Sequence, residues 1–238
     1  MKSIIYFILF FCFIGMGYAQ QPSIKIVLFP FKEAVISSRI DSFVLPYNYK
    51  LGEKFSQNSV LVRLDDSRFQ IVLRRVTEQY NFSLATYQDK KQLHNENMTS
   101  DFELRKSEFE YKLLENDVAD AKLNLSHCTI LAPFDGKLTE ILTREYEIAR
   151  VGQPLIRIID DNYLLGVMNV PIQEKKLCTV GTKVNIALST IKANVVGKIY
   201  EVLPQADHRT ETVRVRVLID NKAGKFQAGM IGELVYGK

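Results

Sequence analysis

Between Glu53 and Phe134 the chain has no glycine, and its one proline there, Pro133, stands at the far end. Over this stretch apolar residues recur at helical spacing. Phe69, Leu73, Val76, Tyr80, Leu84 and Tyr87 form one run, and Leu104, Tyr111, Leu114, Val118, Ala121, Leu125 and Cys128 form a second. Steps of three, four and seven lay such side chains along one stripe of a helix. With nothing to break them, the runs predict two long helices. The polar run His94 to Ser100 separates the two, and Ser100 with Glu103 has the spacing of a capping box, where hydroxyl and carboxylate satisfy free amides at a helix start. Each arm of about 27 residues would span roughly 40 Å at 1.5 Å per residue. A stripe this narrow suits a two-stranded antiparallel coiled coil. An ordinary helical bundle is the alternative, but the rest of the chain offers no further helices for it.

The segments flanking this hairpin are copies of each other. Ile40 to Asp66 (IDSFVLPYNYKLGEKFSQNSVLVRLDD) aligns with Phe134 to Asp161 (FDGKLTEILTREYEIARVGQPLIRIIDD) at a shift of 94 positions, pairing Asp41 with Asp135, Ser42 with Gly136, Glu53 with Glu147 and Arg63 with Arg157. One inserted residue, Ile159, then restores Asp65 and Asp66 against Asp160 and Asp161. Two copies do not make a solenoid, which needs three or more units. They predict one small β domain in two halves, with the hairpin inserted at its middle. Gly136 after Asp135 is expected to form a tight turn between strands, Pro133 to stop the returning helix, and Gly152 to serve the second turn of the half. In the first half the counterparts are Ser42 and Asn58. Asparagine tolerates positive φ, whereas Ser42 implies an ordinary turn.

From Tyr163 onward short β-rich runs alternate with turn signals: Leu164 to Val170, Lys183 to Leu188, Val195 to Leu203, Thr212 to Ile219 and Ile231 to Tyr236. Five or six short strands at this spacing predict a compact barrel or sandwich.

The first residues change the setting. Lys2, an apolar run from Ile4 to Ile14, and Gly17, Tyr18, Ala19 before Gln20 have the form of a secretory signal peptide, with an uncleaved anchor as the alternative. Cys12 follows Phe11, not the small residue a lipid-anchor signal wants. Without residues 1–19 the net charge of +4 falls by the charge of Lys2, too mild to argue for nucleic acid. Cys128 and Cys178 then remain. An exported chain could pair them, but Cys128 continues a helical stripe and Cys178 lies in another apolar pattern, which favours two packed thiols. His94, His127 and His208 have no partner at metal-ligand spacing, and no nucleotide-loop, serine-elbow or zinc-protease motif is present. Asp65 and Asp66 read as solvated turn residues rather than an acid/base couple. No catalysis, metal or cofactor is expected.

Four passages carry a family resemblance: Ile130 to Gly136 (ILAPFDG), Val151 to Leu155 (VGQPL), Pro204 to Arg216 (PQADHRTETVRVR) and Asn221 to Met230 (NKAGKFQAGM). They resemble the periplasmic adaptor subunits, or membrane fusion proteins of the HlyD-like family, of tripartite efflux and secretion systems. The resemblance implies a mixed α and β, elongated, multi-domain chain: an α-helical coiled-coil hairpin inserted in a lipoyl-like β domain, followed by a small β-barrel. The implied divisions are 1–19 signal peptide, 20–66 N-terminal strand and first lipoyl half-motif, 67–128 hairpin, 129–161 second half-motif and 162–238 barrel. Pro133, Asp135, Gly136, Gly152 and Gly229 are its structural motif residues.

The resemblance further implies a non-enzymatic protein of the periplasm, without cofactor. It would associate with the inner membrane through a transporter, of resistance-nodulation-division (RND) type in preference to an ABC transporter, and would form a homo-oligomeric ring. Its hairpin tip would meet an outer-membrane channel. The tip signature of members that dock on the TolC type of channel, Arg, Leu and Ser at steps of seven, falls here on Thr86, Leu93 and Ser100. Leucine and serine match and arginine does not. The family's further membrane-proximal domain is expected to be missing or reduced to a strand such as Ile24 to Phe31. Two other functions compete with this one. A lipoyl or biotin carrier needs a lysine on the turn that the hairpin occupies here. A periplasmic coiled-coil scaffold or tether without a transport role fits the architecture and stays open.

Overall fold

The structure, a computed structural model, describes residues 24–235. The segment read as a signal peptide lies outside them. Along the chain run β1 (Lys25–Ser37), β2 (Ser42–Phe43), β3 (Lys54–Phe55), β4 (Val60–Arg63), α1 (Ser67–Asn95), α2 (Asp101–Ser126), β5 (Thr129–Leu131), β6 (Gly136–Ile141), β7 (Ile148–Ala149), β8 (Pro154–Pro171), a short 3-10 helix (Ile172–Leu177), β9 (Lys183–Leu188), β10 (Ala193–Asp207), β11 (Thr212–Asp220) and β12 (Ile231–Val235). The chain divides into two compact units. One is Phe29–Leu165 with Asp220–Ala228, and the other holds residues 24–28, Gly166–Ile219 and 229–235.

In the first unit α1 and α2 run antiparallel, with the Tyr87 and Tyr111 rings 4.7 Å apart. The stripe of α1 is only half-buried along its length, while α2 buries Ser107, Val118 and Ala121. That is what two helices alone can do, since each covers one face of the other and leaves the rest to water. Ser107 is a polar member of the seam, and its hydroxyl donates to the Leu104 carbonyl at 2.8 Å. At the base Phe69 and Leu125 pack on a β core that includes Val44, Leu64, Leu138, Leu155, Ile156 and Ile158. Each such Leu or Ile contributes about 1.5–3 kcal/mol through burial.

The β part of this unit repeats itself bond for bond. Strands β2 and β7 pair Ser42 with Ala149 and Phe43 with Ile148, and β3 and β6 pair Phe55 with Gly136 and Lys54 with Lys137. A shift of 94 positions exchanges the two pairings. The same shift relates the Gly52 amide, which donates to the Leu138 carbonyl at 2.7 Å, to the Tyr146 amide, which donates to the Val44 carbonyl at 2.7 Å. It also relates Asn58 (φ +66°) to Gly152 (φ +82°), the turn conformation that the asparagine allowed. Past Leu64 and Ile159 both halves make the same side-chain turn: Asp65 accepts the Ser67 amide, and Asp160 accepts the Asn162 amide. The first half then enters α1 and the second continues along β8.

Two expectations need correction. Pro133 does not stop the returning helix, because α2 ends at Ser126 and β5 already pairs with β4 before the proline is reached. Gly136 does not make a turn. It opens β6, where a side chain would collide with the Ile159 carbonyl and lie 3.1 Å from the Phe55 ring.

The strands that supply the second unit pair in the order β1, β12, β9, β10, β11, β8, and β1 also pairs with β8. Inward positions alternate strictly: Val213, Val215, Val217 and Ile219 on β11 are buried. Met168 and Val170 keep the same period on β8.

Candidate functional site

The hairpin tip is built by its backbone. The amide of Asn97 donates to the His94 carbonyl at 2.9 Å and that of Met98 to the Leu93 carbonyl at 2.8 Å, with Asn97 at φ +60°. Ser100 is the N-cap of α2, and its hydroxyl accepts the Glu103 amide at 3.2 Å. The Glu103 carboxylate instead pairs with Lys90 of α1 at 2.5 Å, and Asp101 meets the His94 ring at 2.6 Å. Hydrogen bonding from His94 and then its charge hold the Asp101 carboxyl below its usual range, and Lys90 does the same for Glu103. These links clamp the two arms together where they turn.

Leu93, 41% exposed, therefore stands on a fixed tip. Met98 and Phe102 are exposed beside it in sequence. The sequence reading missed both, one inside a polar run and the other off the seam stripe. The Thr86 hydroxyl turns back onto its own helix, donating to the Phe82 carbonyl at 3.0 Å.

The motif residues lie elsewhere. Asp135 accepts the Gln57 amide at 2.6 Å, as its counterpart Asp41 accepts the Val151 amide at 2.7 Å. The Pro133 carbonyl accepts the Gln57 side-chain amide at 3.2 Å. Gly152 donates to the Ser38 carbonyl at 2.8 Å. Pro133, Asp135, Gly136 and Gly152 thus hold the two halves together, while Gly229 (φ +90°) belongs to the other unit and donates to the Leu28 carbonyl at 2.7 Å.

Among the described residues no group of His, Cys, Asp and Glu could hold a metal, and no helix is long and apolar enough to cross a membrane. Cys128 and Cys178 are free thiols. Burial, and then Asp66 and Asp65, push the Cys128 thiol up to about 11.

Residues 167–237 match the family model of the CusB-like β-barrel domain. The nodulation protein NolF of Rhizobium meliloti (strain 1021) is 21% identical over 227 residues, covering 87% of this chain and 61% of its own length. The chain spans less than two thirds of the curated relatives it matches. Two solved structures share the fold. A MacA–MexA chimera containing the Pseudomonas aeruginosa MexA α-hairpin domain has a TM-score of 0.79 at 16% identity, covering 89% of this chain and 78% of its own. The membrane fusion protein Spr0693 of Streptococcus pneumoniae R6 has 0.71 at 14%, covering 91% and 99%. Residues 167–237 thus resemble a CusB-like β-barrel domain, and the chain shares the fold of these two solved proteins.

Proposed function

We propose that this chain is a non-catalytic adaptor of the periplasm that links an inner-membrane transporter to an outer-membrane channel in efflux or secretion. The observation that carries the reading is the clamped two-helix hairpin projecting from two β halves that repeat bond for bond, in a chain whose residues 167–237 match a CusB-like β-barrel domain. Such a device offers packing surfaces rather than chemistry. In this reading residues 1–19 direct export, the halves within 20–66 and 129–161 form one lipoyl-like domain interrupted by the hairpin 67–128, and 162–238 is the barrel.

The transporter is of RND type rather than an ABC transporter, which the CusB-like barrel supports. Copies of the chain form a ring. The tip meets the channel, which is of TolC type, through Leu93 and its exposed neighbours Met98 and Phe102. Ser100 acts there indirectly, since its hydroxyl oxygen is already engaged by the Glu103 amide and its role is to shape the tip. A helical end with a few exposed apolar side chains fits end-on knobs-into-holes contact with other helices.

The test is a deletion strain. Loss of the gene should raise the cellular accumulation of at least one exported compound or dye, and the full chain should restore efflux. Tagged chain purified from solubilised envelopes should bring a transporter with it. Unchanged accumulation across a broad compound panel, with no transporter recovered, would overturn the reading.

A further inference from the structure

We propose that the hairpin of β10 and β11 carries a phosphate-binding groove whose ligand is the headgroup of an anionic phospholipid. The groove stands without the adaptor reading, and only the lipid as its source of phosphate rests on that reading.

The passage Pro204 to Arg216, which carries part of the family resemblance, supplies most of the groove's wall. On β11 the outward residues Thr212, Arg214 and Arg216 alternate with the buried Val213 and Val215. Arg216 meets a carboxylate across the sheet, Glu201 of β10, at 3.0 Å. Arg214 does not. The pairing steps from Val202 opposite Val215 to Ala206 opposite Val213, so Leu203, Pro204 and Gln205 of β10 all stand against Arg214 alone. None of the three is acidic. On the other side β8, which pairs with β11, brings the neutral amide of Asn169, exposed between the buried Met168 and Val170.

The widened ladder leaves a groove of about 570 Å³ with Arg214, Asn169 and Gln205 in its wall. The turn between the strands adds His208, Arg209 and Thr210. Asp207 is the one carboxylate there, and its Oδ1 already accepts the Arg209 amide at 2.8 Å and the Thr210 amide at 3.2 Å. The Thr210 and Thr212 hydroxyls lie 2.9 Å apart, so one donates to the other and the second keeps its proton for a ligand. Among the described residues the side chains of Arg209 and Arg214 enter no ion pair.

Two guanidinium groups beside amide and hydroxyl donors suit a phosphate, whose oxygens accept from all of them. The groove is of the size that takes a small organic ligand rather than a bare ion, and half-buried Leu203 and Ala206 give it an apolar side for glycerol. Strands β1, β12, β9, β10 and β11 alternate in direction, so the turn after Asp207 lies at the same end of the strands as Ile24. That is the end at which the chain enters from the segment 1–19 that directs export, and in the adaptor reading it faces the inner membrane.

The test is sedimentation of the purified chain with phosphatidylcholine vesicles, with and without phosphatidylglycerol. The chain should sediment with the anionic vesicles and stay in solution with the neutral ones. Arg214→Gln and Arg216→Gln each remove one cation from the same face. Arg214→Gln should nonetheless bind at least about tenfold more weakly than Arg216→Gln, the share of a charge-assisted contact beyond general attraction. Asn169→Asp, which gives Arg214 a carboxylate of its own and keeps every cation, should weaken binding about as much as Arg214→Gln. Equal binding by Arg214→Gln and Arg216→Gln would make the attraction a property of the whole surface and overturn the groove. A rise in unfolding temperature with inorganic phosphate, lost in Arg214→Gln and unaccompanied by vesicle binding, overturns the lipid and leaves the groove to free phosphate. No response to vesicles or to phosphate overturns the groove and leaves the adaptor reading, which efflux tests separately, standing. Loss of the transporter from Arg214→Gln envelopes without any phosphate response overturns it in favour of a protein carboxylate.

Discussion

Tyr146 and Gly52 occupy equivalent positions in the two β halves and hold the same left-handed backbone, φ +65° and +82°. Each donates its amide to the carbonyl of the equivalent strand residue, Val44 or Leu138. One half thus meets the demand with glycine and the other bears it with an exposed tyrosine. Replacing Gly52 by alanine should cost about 1 kcal/mol, because a Cβ is disfavoured at positive φ although space around it is open. Tyr146→Gly should change stability by less than about 0.5 kcal/mol, relief of strain offsetting the greater freedom of the unfolded chain. Denaturant titration of the two variants checks the contrast.

Gly136 fails for another reason. The carbonyl of Ile159 and the ring of Phe55 fill the place of its missing side chain, and the carbonyl is backbone held in the β6–β8 pairing. Gly136→Ala should therefore destabilise by about 1–3 kcal/mol, the cost of overpacking. It should lose more than Gly52→Ala in the same titration.

The Tyr47 hydroxyl donates to the Thr143 carbonyl at 2.7 Å. Burial first, and then the charges of Glu145 and Glu147, push the phenol up to about 12. A phenol raised in the folded state contributes stability that is whole below the unfolded value near 10, and that is lost as pH climbs toward about 12. Unfolding curves taken across that window should show a steep alkaline loss. Tyr47→Phe, less stable at neutral pH by about 1 kcal/mol for the hydrogen bond, should show a shallower one.

The helices were legible because a 3.5-residue period survives any tertiary context that buries one stripe. The repeat was legible because each half needs the same backbone bonds, so Asp41 and Asp135, or Asn58 and Gly152, recur at one spacing. β8 was not legible as one strand. Asp160, Asp161 and Asn162 read as a break, yet Asp160 is buried, bonded to Asn162, and keeps the alternation running. The in-strand role of Gly136 was hidden for a related reason, since sequence gives a glycine's freedom but not what crowds it. The tip geometry that makes Ser100 a cap and exposes Met98 depends on the Asn97 backbone, which no periodicity announces.

Cys128 sits under the hairpin base, 2% exposed, with its thiol raised by burial and by Asp66 and Asp65. Burial raises the Cys178 thiol as well, so access separates the two, and alkylation of the native chain near neutral pH should modify half-buried Cys178 first. Phe69→Ala, which removes packing from the base, should speed modification of Cys128 at least about threefold by opening its cover. Mass spectrometry of timed samples reads both rates.

The most direct measurement is photo-crosslinking in living cells from a probe at Leu93 on the tip and a second at Arg209, on the exposed turn between β10 and β11. An outer-membrane channel captured at Leu93 and an inner-membrane transporter captured at Arg209 is the result expected of an adaptor. Capture of neither, in cells where the chain is made and exported, would contradict it and favour a free-standing scaffold.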